Sequence, residues 1–209
     1  MARTVSKGKI VCEPSEVMEP TVQHAKAALR RQIRDVLSEM KNSSRAEASA
    51  KACSLLASQS IWKSADSVLF YAPLPEELNV WPLVEVALGA GKVVALPRFN
   101  PETQRYTACR VSDLGGEVLS GQFGIREPSA HCQEVSLNRL DLILVPGVAF
   151  DALGHRLGRG KGYYDRFLSV ATGTRCGVAF DEQIVSEVPL APHDVHLNCI
   201  LTPTRWISL

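Results

Sequence analysis

The chain has almost no excess charge of either sign. Its 209 residues carry 23 Lys and Arg against 22 Asp and Glu, a formal net charge of +1. That balance excludes a protein recognised through bulk charge, so neither a nucleic-acid coat nor an anionic membrane surface is implied, and there is no acidic solvating tail. Long hydrophobic runs are also missing. The longest apolar stretch, Leu142 to Phe150, is interrupted by Pro146 and Gly147 and falls far short of the roughly 20 residues that span a bilayer. No apolar segment follows the basic start at Arg3, Lys7 and Lys9, which argues against a secretory signal. The early acids Glu13, Glu16 and Glu19 argue against a transit peptide. Closely spaced cysteines are absent: Cys12, Cys53, Cys109, Cys132, Cys176 and Cys199 are never nearer than 23 residues. Without a Cys-x-x-Cys pair or a close Cys/His spacing, zinc is not expected. A single domain this long buries about 70% of its unfolded surface and needs no staples, so reduced cytoplasmic thiols are expected.

What is present is ordinary globular material, with 45% hydrophobic and 22% charged residues. Residues 1 to 20 lack periodicity and contain Pro14 and Pro20, and are expected to be a disordered extension ahead of a single domain over 21–209. Ala25, Leu29, Ile33, Leu37 and Met40 form one apolar helical stripe. Ser44 and Glu47 have capping-box spacing, which predicts a second helix from Ser44 to about Ser58. Asn79 can cap a third, with Pro82 in its first turn. Strands are predicted at Ser67–Ala72, Val93–Leu96, Arg105–Val111, Leu140–Val145, Arg175–Phe180 and Cys199–Leu201. Continuous apolar strands alternating with helices imply an α/β fold, a mainly parallel sheet with helices on both faces. The region from about 98 to 135, rich in Gly and turn residues, reads as an irregular insert.

The chemistry concentrates after the strand ending at Val145. The run Gly158, Arg159, Gly160, Lys161, Gly162, Tyr163, Tyr164, Asp165 places three alternate glycines among cations. Alternate glycines free the backbone to turn successive N–H groups toward an anion. Arg156, Arg159 and Lys161 add charged donors. A helix from about Gly162 to Leu168 would aim its positive end at the same place, and ligands of open α/β sheets sit beyond strand carboxyl ends. Together these features favour a polyphosphate. The run is not a Walker loop, because Gly162 stands where a hydroxyl residue should follow Lys161. A magnesium ion would need another hard ligand, and Asp165 is adjacent. Nor does the run match the dinucleotide fingerprint.

Leu157 to Asp165, with the segment from Val145 through Pro146, Gly147, Val148, Ala149 and Phe150 to Asp151, closely resembles the signature of 5-formyltetrahydrofolate cyclo-ligases (methenyltetrahydrofolate synthetases). The resemblance extends over about residues 24 to 201. It takes in Lys26 to Arg30, the Glu76 loop, Pro97 and Arg98, and Pro192 to Asp194, in that order. It implies a three-layer fold of the sugar-phosphate isomerase/CoA-transferase-like kind (NagB/RpiA/CoA-transferase-like) and ATP-dependent ring closure of 5-formyltetrahydrofolate to 5,10-methenyltetrahydrofolate.

By the same resemblance, Lys26, Arg30, Arg156, Leu157, Gly158, Arg159, Gly160, Lys161, Gly162, Tyr163 and Tyr164 would bind ATP. Tyr71, Glu76, Arg159, Gly160, Lys161, Gly162 and Tyr163 would bind the folate, and Asp165 and Asp194 would hold Mg2+. Lys161, Arg159 and Arg30 would be catalytic, and Arg98 a further phosphate contact. Of the adjacent Tyr163 and Tyr164, one should pack and one face the ligand. His155 and His193 are left out of the catalytic set, because the chemistry needs no strong base. No nucleic-acid or membrane partner is expected, and the chain is read as a monomer. Two other readings compete: a sugar-phosphate isomerase or CoA-transferase-like enzyme on the same fold, and a non-catalytic nucleotide- or RNA-binding module.

Overall fold

The computed structural model describes residues 19–209 apart from 122–124 and 193. The expected extension therefore lies almost wholly outside the described residues, as do Cys12 and His193. Helices α1 (Glu19–Ser38), α2 (Asn42–Ser58) and α3 (Ser60–Ser64) lead into strand β1 (Ser67–Leu69). Helix α4 (Trp81–Gly89) connects it to β2 (Val93–Asn100), which turns back as β3 (Arg105–Val111). Then come α5 (Leu114–Glu117), β4 (Val118–Ser120), β5 (Arg126–Pro128) and β6 (Glu134–Val135). The second half holds β7 (Leu142–Pro146), β8 (Ala149–Asp151), β9 (Arg156–Leu157), α6 (Tyr163–Leu168), β10 (Thr174–Val178), β11 (Ile184–Val185), β12 (Cys199–Leu201) and β13 (Trp206–Ser208).

One eight-stranded sheet organises these elements, in the order β13-β12-β10-β7-β1-β2-β3-β6. The five strands from β12 to β2 pair in parallel, and antiparallel strands finish both edges. The period of two along each strand sorts the side chains into two cores. Val68 and Phe70, with Leu142 and Leu144, face one core, where Ile33, Leu37, Leu56 and Val84 of the helices meet them. Leu69, Ile143 and Val145 face the other, with Phe167 and Leu168 of α6. Helices cover both faces, as expected, but unevenly: α1 to α4 pack on one face and only short α6 with loop residues on the other. From β1 the chain goes to β2 on one side, and from β7 to β10 on the other, so the order reverses between β1 and β7. Ligand crevices of open α/β sheets form beyond strand ends at such a switch point.

Two local expectations differ. Helix α2 starts at Asn42, not Ser44, and no side chain caps it; Glu47 instead pairs with Lys51 at 2.8 Å, one turn on. The region 98–135 is not an irregular insert. It contributes the end of β2, then β3 and β6 to the sheet, and folds a separate hairpin from β4 and β5. Among the described residues, Cys53, Cys109, Cys132, Cys176 and Cys199 are buried free thiols. Burial raises the Cys53 thiol to about 11, in keeping with a packing role. No helix of the described residues is long and apolar enough to cross a membrane.

Candidate active site

A cleft of about 590 Å3 opens at the switch point, within the usual size range of small-molecule sites. Its walls come from the end of β1 (Tyr71, Ala72), from β2 (Pro97, Phe99), from the end of β7 (Pro146, Gly147), from α1 and from the whole β9–α6 loop. The loop can take its course because Gly160 and Gly162 have φ of 105° and 63°, values that cost side-chain-bearing residues strain. Helix α1 docks on it through Arg30, whose Nε donates to the Gly158 carbonyl at 2.8 Å. The same guanidinium lies alongside Gly160, where a Cβ would meet Arg30 Cζ at 3.5 Å, an ordinary contact. Two basic clusters far apart in sequence are thus brought to one cleft: Lys26 and Arg30 with Arg156, Arg159 and Lys161.

Each cation in the cleft has a defined setting. Lys26 Nζ meets Asp194 Oδ2 at 2.5 Å, with both side chains largely buried. The Arg156 side chain is 2% exposed, and it meets Asp165 Oδ1 at 2.5 Å. Arg156 Nη1 also donates to the Pro146 carbonyl at 3.1 Å, and Gly158 leaves room for it, since a Cβ there would lie 3.1 Å from Nη1. Arg156 is therefore a fastener beneath the loop as much as a wall of the cleft. Arg159 is exposed and reaches Glu77 at 2.8 Å and Glu76 at 3.1 Å. Burial acts to lower the Arg159 pKa, but the two carboxylates outweigh it and raise it. Lys161 is exposed at the loop's outer bend, 5.8 Å from the centre of the Tyr163 ring.

Both adjacent tyrosines line the cleft and pack against aromatic rings. Tyr164 packs against Tyr106 and Phe167, and burial pushes its phenol well up. Tyr163 presents its ring to Phe99 and donates its hydroxyl to Gln104 at 2.7 Å. Tyr71 is a core residue with one edge on the cleft; it is 2% exposed and its hydroxyl donates to the Leu78 carbonyl at 2.6 Å. Leu157 is buried on β9 at the cleft floor.

Two placements differ from expectation. Glu77, not Glu76, lines the cleft. Its Oε2 accepts from the Leu74 N–H at 3.0 Å, and this local turn directs it inward. Arg98 is not among the cleft residues: it donates to the Ser129 carbonyl and pairs with Glu134, tying β2 to β6. Phe99, Tyr106, Gln104, Ile125 and Glu127 line the cleft and were not foreseen. The 5.2 Å approach of the Phe99 and Tyr106 rings joins residues whose β2–β3 pairing sequence periodicity alone could only suggest.

Asp165 and Asp194 both line the cleft. No group of three potential metal ligands occurs among the described residues. The two hard carboxylates are of the kind magnesium takes, with phosphates and water completing its shell, and here each is paired with a cation, Asp194 with Lys26 and Asp165 with Arg156.

The sequence profile of the 5-formyltetrahydrofolate cyclo-ligase family matches residues 22–203. The chain belongs to this family. It is 34% identical to a 5-formyltetrahydrofolate cyclo-ligase of Mycolicibacterium smegmatis over 69% of this chain and 77% of that protein. It is 33% identical to the Escherichia coli K12 enzyme of the same name over 68% of this chain and 80% of that one. The fold matches the solved structure of Aquifex aeolicus 5,10-methenyltetrahydrofolate synthetase with a TM-score of 0.80 and 32% identity, over 88% of this chain and 92% of that one. As a cyclo-ligase family member the protein is an enzyme, a ligase, which sets aside the isomerase and binding-module readings.

Proposed function

We propose that the protein closes the ring of 5-formyltetrahydrofolate to give 5,10-methenyltetrahydrofolate, with ATP converted to ADP and phosphate. One observation carries this reading: a single cleft gathers several cations and a cluster of aromatic rings. Lys26, Arg30, Arg159 and Lys161 suit a polyphosphate. Phe99, Tyr106 and Tyr163, with ring centres 5.2 to 6.2 Å apart, suit a planar heterocycle.

The formyl oxygen attacks the γ-phosphorus and ADP leaves. The neighbouring folate nitrogen then attacks the activated carbon, loses its proton, and the formyl oxygen departs within inorganic phosphate. Phosphorylation is needed because hydroxide is a poor leaving group. The protein's share is positioning and charge neutralisation. Arg30, Arg159 and Lys161, which line the cleft, would neutralise the charge that develops on the transferring phosphoryl group. Gly160 and Gly162 let the backbone follow the phosphates closely, and Tyr163 covers the reacting edge of the folate. Arg156 acts from beneath by holding the loop and Asp165. Asp165 and Asp194 would hold Mg2+, which when bound supplies further neutralisation of the phosphate oxygens. Of the two adjacent glutamates, only Glu77 lines the cleft, and its oxygens are held by Arg159 and the Leu74 N–H.

We read 21–209 as one catalytic domain, acting as a monomer. The buried free thiols fit a reducing compartment such as the cytoplasm. The test is to mix purified protein with 5-formyltetrahydrofolate and Mg-ATP and follow methenyl absorbance in the near ultraviolet. An ATP-dependent rise is expected. No rise at micromolar enzyme overturns the reading.

A further inference from the structure

The aromatic side of the cleft contains one carboxylate that the reaction as described does not use. Glu127 stands on β5, in the hairpin outside the main sheet, and lines the cleft beside Ile125, Phe99 and Tyr106. Its side chain is held in place. The Phe99 backbone amide lies close enough to favour its charged form. It also lies so close over Gly121 that a Cβ there would come within 2.8 Å of its Cγ and Cδ. The strand carrying it is fastened from outside, where the Arg126 guanidinium stacks on Trp81 at 4.1 Å.

Glu127 makes no ion pair among the described residues. The cation nearest to hand in chemistry, Arg98, is committed to Ser129, Cys132 and Glu134. Burial raises the Glu127 carboxyl above the usual range, only partly offset by the Phe99 N–H and by Arg98. The contrast with Glu77 is informative. Glu77 uses Oε1 for Arg159 and Oε2 for the Leu74 N–H. A carboxylate has about four acceptor sites, so Glu127 keeps capacity that Glu77 has already spent.

A half-buried carboxylate beside a cluster of aromatic rings suits a partner with adjacent N–H donors, which meet the two oxygens as a guanidinium would. The pyrimidinone ring of a reduced pteridine offers such a pair, its ring N–H and the exocyclic amino group. That edge lies opposite the reacting nitrogens. The geometry points to Glu127 as the residue that recognises the amino-pyrimidinone edge of the substrate's pteridine. This rests on the folate reading above and deepens it. Its topology agrees: Glu127 enters from the β2–β3 side, whereas the phosphate-facing cations enter from α1 and the β9–α6 loop. With the amino edge on Glu127, the formyl group is turned toward those cations.

The test measures steady-state methenyl formation by wild type, Glu127→Ala and Glu127→Gln, with 5-formyltetrahydrofolate and with its analogue lacking the 2-amino group. Glu127→Ala should raise KM for the folate about 10- to 100-fold, the range for loss of a charged hydrogen bond, and leave KM for ATP unchanged. Removing the amino group should cost wild type a similar factor and cost Glu127→Ala almost nothing more. The wild-type folate KM should rise on acidification as the carboxylate protonates, and Glu127→Gln should lose that dependence. Glu127→Gln, which keeps the shape, carries the test if the alanine variant does not fold. An active variant with an unchanged folate KM, or equal discrimination against the analogue by wild type and variant, overturns the assignment while leaving the cyclo-ligase reading intact. No turnover by wild type overturns both.

Discussion

Replacing Asp165 by Asn separates the two tasks given to this carboxylate. In the folded protein Asp165 Oδ1 meets Arg156 Nη2 at 2.5 Å, with the two side chains 17% and 2% exposed. Two unit charges about 4 Å apart attract by ~4 kcal/mol at an effective dielectric of 20. Taking one partner from a buried pair costs ~3–5 kcal/mol, because the other charge is left uncompensated. The guanidinium is already under strain of this kind, since its buried Nε has no hydrogen-bond partner. Asn keeps the shape and one acceptor oxygen, and a neutral acceptor gives about half the strength of a charged one. A net loss of about 2 kcal/mol results, which for a chain of this size lowers Tm by about 4–8 °C. Circular dichroism melts of wild type and Asp165→Asn measure this limb. A magnesium titration of turnover measures the other, where the variant should need more Mg2+. In an Arg156→Met background the same substitution should cost much less stability, because the pair is already broken. An unchanged Tm together with an unchanged magnesium titration refutes both the ion-pair argument and the metal assignment.

Two further outcomes follow from the same geometry. Lys161 is exposed on the loop, so Lys161→Ala should cut turnover by about 100-fold or more, as for other groups that stabilise transition-state charge, with an unchanged melt; full activity would make the loop a structural turn. Asp151 is fully buried. Burial acts to raise its pKa, but hydrogen bonds from the Val188, His155 and Leu153 N–H groups and from the His155 ring outweigh this and lower it. Because the folded value lies below the unfolded one of about 3.9, Asp151 stabilises the fold above that pH, and the contribution fades as pH falls through the folded value. Urea midpoints should show Asp151→Asn well below wild type at neutral pH and the gap narrowing in acid; a gap independent of pH contradicts the linkage.

The parallel core of the fold was legible because burial on both faces leaves a continuous apolar run, as in Leu142 to Val145, all fully buried. The first half of the chain was legible through helix periodicity, since Ile33 and Leu37 do face the core. The β4–β5 hairpin was not legible. Its strands are three residues long, and Leu119 and Arg126 are exposed, so neither alternation nor apolar continuity marks them. The ladder is stabilised by backbone pairing, which carries no side-chain signature. Ile125 and Glu127 come from this stretch, so this part of the cleft could not be read from the sequence, whereas Tyr163 and the basic loop could.

Which of Glu76 and Glu77 lines the cleft was illegible for the same physical reason. Glu76 and Glu77 are chemically identical neighbours in a loop, where no period of 2 or 3.6 decides which faces inward. A single backbone hydrogen bond, Leu74 N–H to Glu77, decides it. Arg98 was misplaced because a basic residue after a strand looks available until its partners 31 to 36 residues away are known. Long-range pairing also explains why a net charge of +1 conceals a polyphosphate site. Lys26 meets Asp194 across 168 residues of sequence, Arg156 meets Asp165, and Arg159 meets Glu76 and Glu77. The cations of the cleft carry their own counter-charges, so the chain is neutral because the site is matched locally. On the proposed reading, an incoming polyphosphate would exchange with carboxylates already in place, and affinity for the nucleotide would depend on how readily Lys26 and Arg159 change partners.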